Sequence, residues 1–111
     1  MTSAAPELDH SFHGLANSTR RAVIQRLLKG PATVGELAKP FAMALPSFMQ
    51  HLQVLQAGGL VQSSKSGRVR TVQIVPERLN RAADWLQKQR AIWEQRLDQL
   101  DEYVNRMEKD R

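Results

Sequence analysis

From Pro40 to Ser64 the chain reads PFAMALPSFMQHLQVLQAGGLVQSS, 25 residues with no Lys, Arg, Asp or Glu in a sequence that has 16 basic and 11 acidic residues. The chemistry left in this stretch is neutral hydrogen bonding, from Ser47, Gln50, His51 and Gln53. A side-chain amide presents a donor beside an acceptor, which matches the exposed edge of adenine. Charge returns at Lys65, Arg68 and Arg70, where ammonium and guanidinium groups are suited to phosphate oxygens.

A second group, Asp9, His10 and His13, has helical spacing for metal ligation. Three candidates near the start of the chain make a poor site, and a structural or phosphate-bonding role suits His51 better than metal, so no metal is assigned. The chain has no cysteine, which removes thiolate ligands, thiol nucleophiles and disulfides. There is no Gly-rich phosphate loop, no pair of carboxylates for acid–base work and no nucleophile elbow, and three histidines without a cysteine offer no triad. Neither an enzyme nor a cofactor is expected.

Hydrophobic periodicity gives the elements that must position these groups. Leu8, Phe12 and Leu15 share one face of a short helix, and Asn17 or Ser18 can cap the next. In that second helix Ala22, Val23, Leu27 and Leu28 form a stripe that ends at Gly30-Pro31. Thr33-Val34-Gly35-Glu36 is a capping box that opens a short third helix, and Pro40 ends it. Leu45, Phe48, Leu52 and Leu55 are the buried stripe of a fourth helix closed by Gly58-Gly59. With Leu52 facing the core, Ser47, Gln50, Val54 and in part Pro46 and Gln53 face outward. From Leu60 to Val75 the pattern is β-branched and broken at Lys65-Ser66-Gly67-Arg68, the tip of a hairpin. Pro76 breaks the strand, and Glu77 opens a helix that runs to about Met107.

At about 1.5 Å per residue that last helix is some 45 Å long, whereas a chain of this length packs to a radius of gyration near 13 Å. It must overhang its own domain. Leu79, Ala82, Leu86, Trp93, Leu97, Leu100, Val104 and Met107 keep alternating three- and four-residue steps, with a polar lapse at Gln89-Arg90. Such a seam calls for a partner helix, and a second copy of the chain is the simplest one. A homodimer is expected through Leu8, Phe12, Leu86, Trp93, Leu97, Leu100 and Val104. Trp85 is turned about 80° from Trp93 at 100° per residue, and packing against the domain or a neighbouring helix is expected of it rather than a hydrophobic ligand slot.

The net charge of +5 is unevenly spread: +7 through Arg90 and −2 from Ala91 to Arg111. A basic body suits phosphates and an acidic end suits protein. No apolar run approaches the roughly 20 residues that span a bilayer, and the start lacks the apolar segment of a signal peptide, so no membrane role and a cytoplasmic location are expected. The fold expected is mainly α with a small β-hairpin, a winged helix-turn-helix over residues 8–76 with a long C-terminal dimerisation helix over 77–108, all in one domain of residues 1–111.

The residues sharpen this. LANSTRRAVIQRLLKGPATVGELA, LPSFMQHLQVLQAGGLV and GRVRTVQI resemble the ArsR-type bacterial repressors over most of residues 12–76. AADWLQKQRAIWEQRLDQLDEYV looks like the branch of that family with a Trp-bearing terminal helix. The resemblance implies a homodimeric winged helix that binds a palindromic operator in double-stranded DNA and blocks a promoter until a signal releases it. Two departures stand out. Metal-sensing members carry a Cys-containing ligand pair where this chain has ELAKPFA, or Asp and His ligands on terminal helices, and residues 77–111 contain no His. The family also commonly has Ser at the positions of Ala44 and Met49 and Lys or Arg at those of Gln50 and Gln53.

The reading that follows has Pro46, Ser47, Gln50, His51 and Gln53 against DNA, the glutamines on base edges, while Lys65, Arg68 and Arg70, with Arg20 and Arg21, supply charge for phosphates. Two others stay open. One is a winged helix that binds protein and has little DNA affinity; the other is a derepressor that responds to metal or an unknown small-molecule effector through the N-terminal histidines.

Overall fold

The computed structural model describes residues 4–110, arranged in the order α1 (Ala4–Leu15), α2 (Ser18–Leu27), β1 (Ala32–Thr33), α3 (Val34–Ala38), α4 (Leu45–Ala57), β2 (Val61–Ser66), β3 (Val69–Ile74) and α5 (Pro76–Lys109). It is mainly helical, with a three-stranded antiparallel sheet in the order β1-β3-β2.

Local chemistry sets most of the boundaries. The Asn17 side chain accepts from the Arg20 backbone N–H at 3.1 Å and starts α2, which satisfies one of the orphan donors of a first turn. Thr33 Oγ1 accepts from the Glu36 N–H at 3.1 Å and donates to the Glu36 carboxylate. The expected capping box thus forms hydroxyl to carboxylate. α4 ends in a Schellman arrangement in which Leu60 N–H donates to Leu55 O and Gly59 N–H to Gln56 O, both at 3.0 Å. Gly59 takes φ +75° there, a left-handed value that glycine adopts without a Cβ clash. The hairpin pairs Ser66 with Val69, so Gly67-Arg68 is a two-residue turn with Gly67 at φ +61°.

The core lies where α2, α3, α4 and the sheet meet. Val23, Ile24, Leu27, Leu37, Phe48, Leu52, Leu55 and Leu60 are buried there with Val61 and Val72, and Phe41 stacks on Phe48 at 5.5 Å. Three details differ from the periodic reading. Ala32–Thr33 pairs with β3 as a short strand, although two residues beside Pro31 carry no alternation to reveal it. Ile24, not Ala22 or Leu28, completes the buried face of α2, and both of those are exposed. Leu45 is 56% exposed, because it precedes the turn of α4 that the sheet and α2 cover.

α5 has 34 residues, or about 51 Å of helix. The molecule extends 75 × 34 × 22 Å with a radius of gyration of 20.2 Å, well above the about 13 Å of a closely packed chain this long. The overhang is therefore present, and Ala82 is the single buried residue of α5 among those described.

Candidate functional site

Short α3 and the turn after Pro40 let α4 lie across the domain with one side on the core and the other in solvent. Pro46, Ser47, Gln50 and Gln53 are exposed on that outer side, while His51 and Val54 are half-buried. Val54 therefore leaves the outward set that angular placement assigned to it, since Gly58 on the same stretch comes close to the α1 backbone at His10. Leu45 and Met49 join the exposed face, Met49 at 37%. The N-cap of α4 is Ala44, with no side-chain capping bond and Pro46 in the first turn, a position where proline's missing donor costs little.

The hairpin stands beside this helix. Lys65 lies opposite Arg70 in the β2–β3 register, so two cations share a sheet face, an arrangement that costs stability unless an anion offsets it. They extend the face that carries Val61 and Val72, and a groove runs between the hairpin and α4, floored by Leu52, Val61 and Val72 and edged by Met49, Gln53 and Arg70. Arg70 Nη1 donates to Ser63 Oγ at 3.1 Å, and Ser63 Oγ donates to Gln56 Oε1 at 3.4 Å. That chain ties hairpin to helix. Arg68 projects from the turn and is exposed. From Leu37 to Pro76 the chain has four cations, Lys39, Lys65, Arg68 and Arg70, and no Asp or Glu, so nothing acidic in this segment opposes a polyanion's approach.

Arg20 does not belong with these cations. It is 8% exposed, and its Nε and Nη2 donate to Gly14 O and His13 O, both at 2.9 Å, while Nη1 lies 3.1 Å from His51 Nδ1. Arg21 Nη1 donates to Leu15 O at 2.8 Å. Both arginines cap the C-terminal carbonyls of α1, where cations also offset the helix dipole. The sequence placed Arg20 with the phosphate-binding charges because a contact across 31 residues leaves no periodic trace.

α1 is fastened to α5 at the other end of the domain. Glu7 accepts from Arg81 Nε at 2.8 and 2.9 Å through its two oxygens and from Arg78 Nε at 2.8 Å. The Arg81 hydrogen bond, the largest influence, outweighs an opposing desolvation and, with weaker help from the charges of Arg81 and Arg78, holds the Glu7 carboxyl below the usual carboxylate range. Phe12 meets Trp85 edge to face at 5.8 Å, so Trp85 packs on a neighbouring helix as expected. Leu8 and Phe12 are half-buried. Beyond them Leu86, Trp93, Leu97, Leu100 and Val104 lie along α5 with their apolar surface in solvent, Leu97 at 42% and Trp93 at 60%.

Asp9, His10 and His13 are exposed on α1, and among the described residues no three His, Asp or Glu side chains gather as a metal site would require. No helix among them is long and apolar enough to cross a membrane.

Comparison with known proteins matches residues 15–63 to the helix-turn-helix domain family, a span that takes in α2, α3, α4 and the start of β2. The chain is 41% identical over 68 residues to the HTH-type transcriptional regulator Rv2034 of Mycobacterium tuberculosis, covering 61% of this chain and 64% of that protein. It is 26% identical over 61 residues to the transcriptional repressor SdpR of Bacillus subtilis, covering 55% of this chain and 68% of that one. The chain thus spans about two thirds of the length of these relatives. A solved ArsR family transcriptional regulator is 49% identical and superposes with a TM-score of 0.78, covering 85% of this chain and 97% of its own.

Proposed function

The chain belongs to the ArsR family of transcriptional regulators, and we propose that it works as a homodimeric, sequence-specific repressor that binds a palindromic operator in double-stranded DNA in the cytoplasm. The observation that carries this reading is the juxtaposition of α4 and the hairpin. An exposed helix face of Ser47, Gln50 and Gln53 stands beside Lys65, Arg68 and Arg70 in a segment without a carboxylate. Those are the two parts of DNA recognition, neutral donors and acceptors for base edges and cations for the backbone.

The dimer supplies the rest. The apolar seam of α5 from Leu86 to Val104 would stay in water in a monomer, at about 25 cal/mol per Å² of apolar surface. Pairing two copies along α5, with Leu8 and Phe12 of α1 in the interface, would cover it and set two α4 helices at a fixed separation. His51 sits at the inner edge of the α4 face, where its Nε2–H remains for a phosphate or base while Nδ1 meets Arg20. No catalysis is assigned to the chain.

The experiment is footprinting of the full chain on genomic DNA fragments that include its own promoter. The expected result is a protected palindrome whose half-site centres lie about one helical turn, or 34–36 Å, or a multiple of it apart. Uniform coating of every fragment at one concentration would overturn sequence-specific binding.

A further inference from the structure

Four chemistries dominate base reading in the major groove: Arg or Lys on guanine, Asp or Glu on cytosine, Asn or Gln on adenine, and apolar groups on the thymine methyl. α4 from Leu45 to Ala57 contains no Arg, Lys, Asp or Glu, so the charged pairings with guanine and cytosine are missing from it. Both remaining chemistries are present. Gln50 and Gln53 are exposed amides, and Leu45 and Met49 are apolar side chains left in solvent one turn apart at the start of the same helix.

Leu45 is 56% and Met49 37% exposed beside buried Phe48 and Leu52, a loss that the core does not require, since Met49 lies beside the buried stripe and Leu45 continues it one turn beyond the core. Single exposed apolar residues are common, but here Met49 stands beside the hairpin's Arg68 and Arg70, with Leu45 one turn before it on the same helix, where a polyanionic partner is drawn in by charge.

We propose that α4 reads half-sites of A·T pairs, with Gln50 and Gln53 on adenine edges and Leu45 and Met49 against thymine 5-methyl groups, and takes no specificity from guanine. This rests on the DNA-binding reading and names which DNA.

The test is selection of bound duplexes from a library with a randomised core, using the full chain, followed by replacement of each selected thymine with deoxyuridine. Deoxyuridine keeps every hydrogen-bonding group and lacks only the methyl. We expect A·T pairs under α4, a roughly fourfold loss of affinity for each methyl that is read, the factor matching about 0.8 kcal/mol per buried methyl-sized group, and no such loss in Leu45→Ala with Met49→Ala. Both residues are exposed, so these variants keep the core.

Enriched half-sites with invariant G·C pairs under α4, or full affinity for the deoxyuridine duplex, would overturn the inference and leave the DNA-binding reading standing. If no sequence is enriched and random duplex binds as well as any, this inference and sequence-specific binding fail together.

Discussion

The guanidinium of Arg20 on α2 lies 3.1 Å from Nδ1 of His51 on α4. A guanidinium can only donate, so Nδ1 accepts and the ring proton is on Nε2. The same arginine holds the last carbonyls of α1, so one buried cation joins α1, α2 and α4.

Replacing it should therefore cost stability rather than phosphate contact. Arg20→Ala leaves two carbonyls and an imidazole nitrogen without their donor, and hydrogen bonds to charged groups contribute roughly 1.5–3 kcal/mol each. A loss of about 3 kcal/mol is expected, read as a lower urea midpoint at unchanged slope. Arg20→Lys should restore only part of it, because a lysine lacks the planar fork. An unaltered midpoint with weaker DNA binding would return Arg20 to the phosphate-contacting set.

Glu7 provides a pH-dependent fastening of α1 to α5. Its folded-state carboxyl is held below its ordinary value by Arg81 and Arg78, so its contribution is present above the unfolded carboxylate pKa and is lost as pH falls through the lowered folded value. Wild type should be more stable than Glu7→Gln at neutral pH, and the two stability curves should converge in the acid range below about pH 4.3. Parallel curves down to strong acid would show that the ion pairs contribute nothing, as many exposed ones do.

The α5 seam predicts association. Sedimentation equilibrium should find a dimer at micromolar concentration, and Leu97→Glu with Leu100→Glu should give a monomer that still unfolds cooperatively, because both residues lie outside the core of their own chain. A stable wild-type monomer would contradict the dimer.

Much of this was legible in the sequence because it is local or periodic. The Asn17 and Thr33 caps, the Gly58-Gly59 stop, the Gly67 turn and the overhanging α5 each follow from residues within one or two turns of each other. What escaped was tertiary. Arg20 reads as one of several basic residues until His51 and the end of α1 are brought to it. Leu45 fits the three-four rhythm of α4, yet the core stops one turn short of it. Glu7 meets Arg81 across 74 residues, and no pattern in either helix announces the pair. The outer face of α4 was found by angular placement, apart from Val54, because exposure on a single helix depends mainly on where its buried stripe lies.

The central claim is that helix and hairpin divide the work of holding DNA, with α4 reading bases and the hairpin binding phosphates. The measurement is fluorescence anisotropy of Gln50→Ala and Arg68→Ala on cognate and scrambled duplexes across a salt series. Gln50→Ala should lose roughly 1–3 kcal/mol on the cognate duplex and little on the scrambled one. Arg68→Ala should weaken both alike and reduce the slope of log affinity against log salt by nearly two units, about 0.9 for each of two hairpins. If Gln50→Ala leaves cognate binding unchanged while Arg68→Ala abolishes it, α4 does not read sequence and the account is wrong.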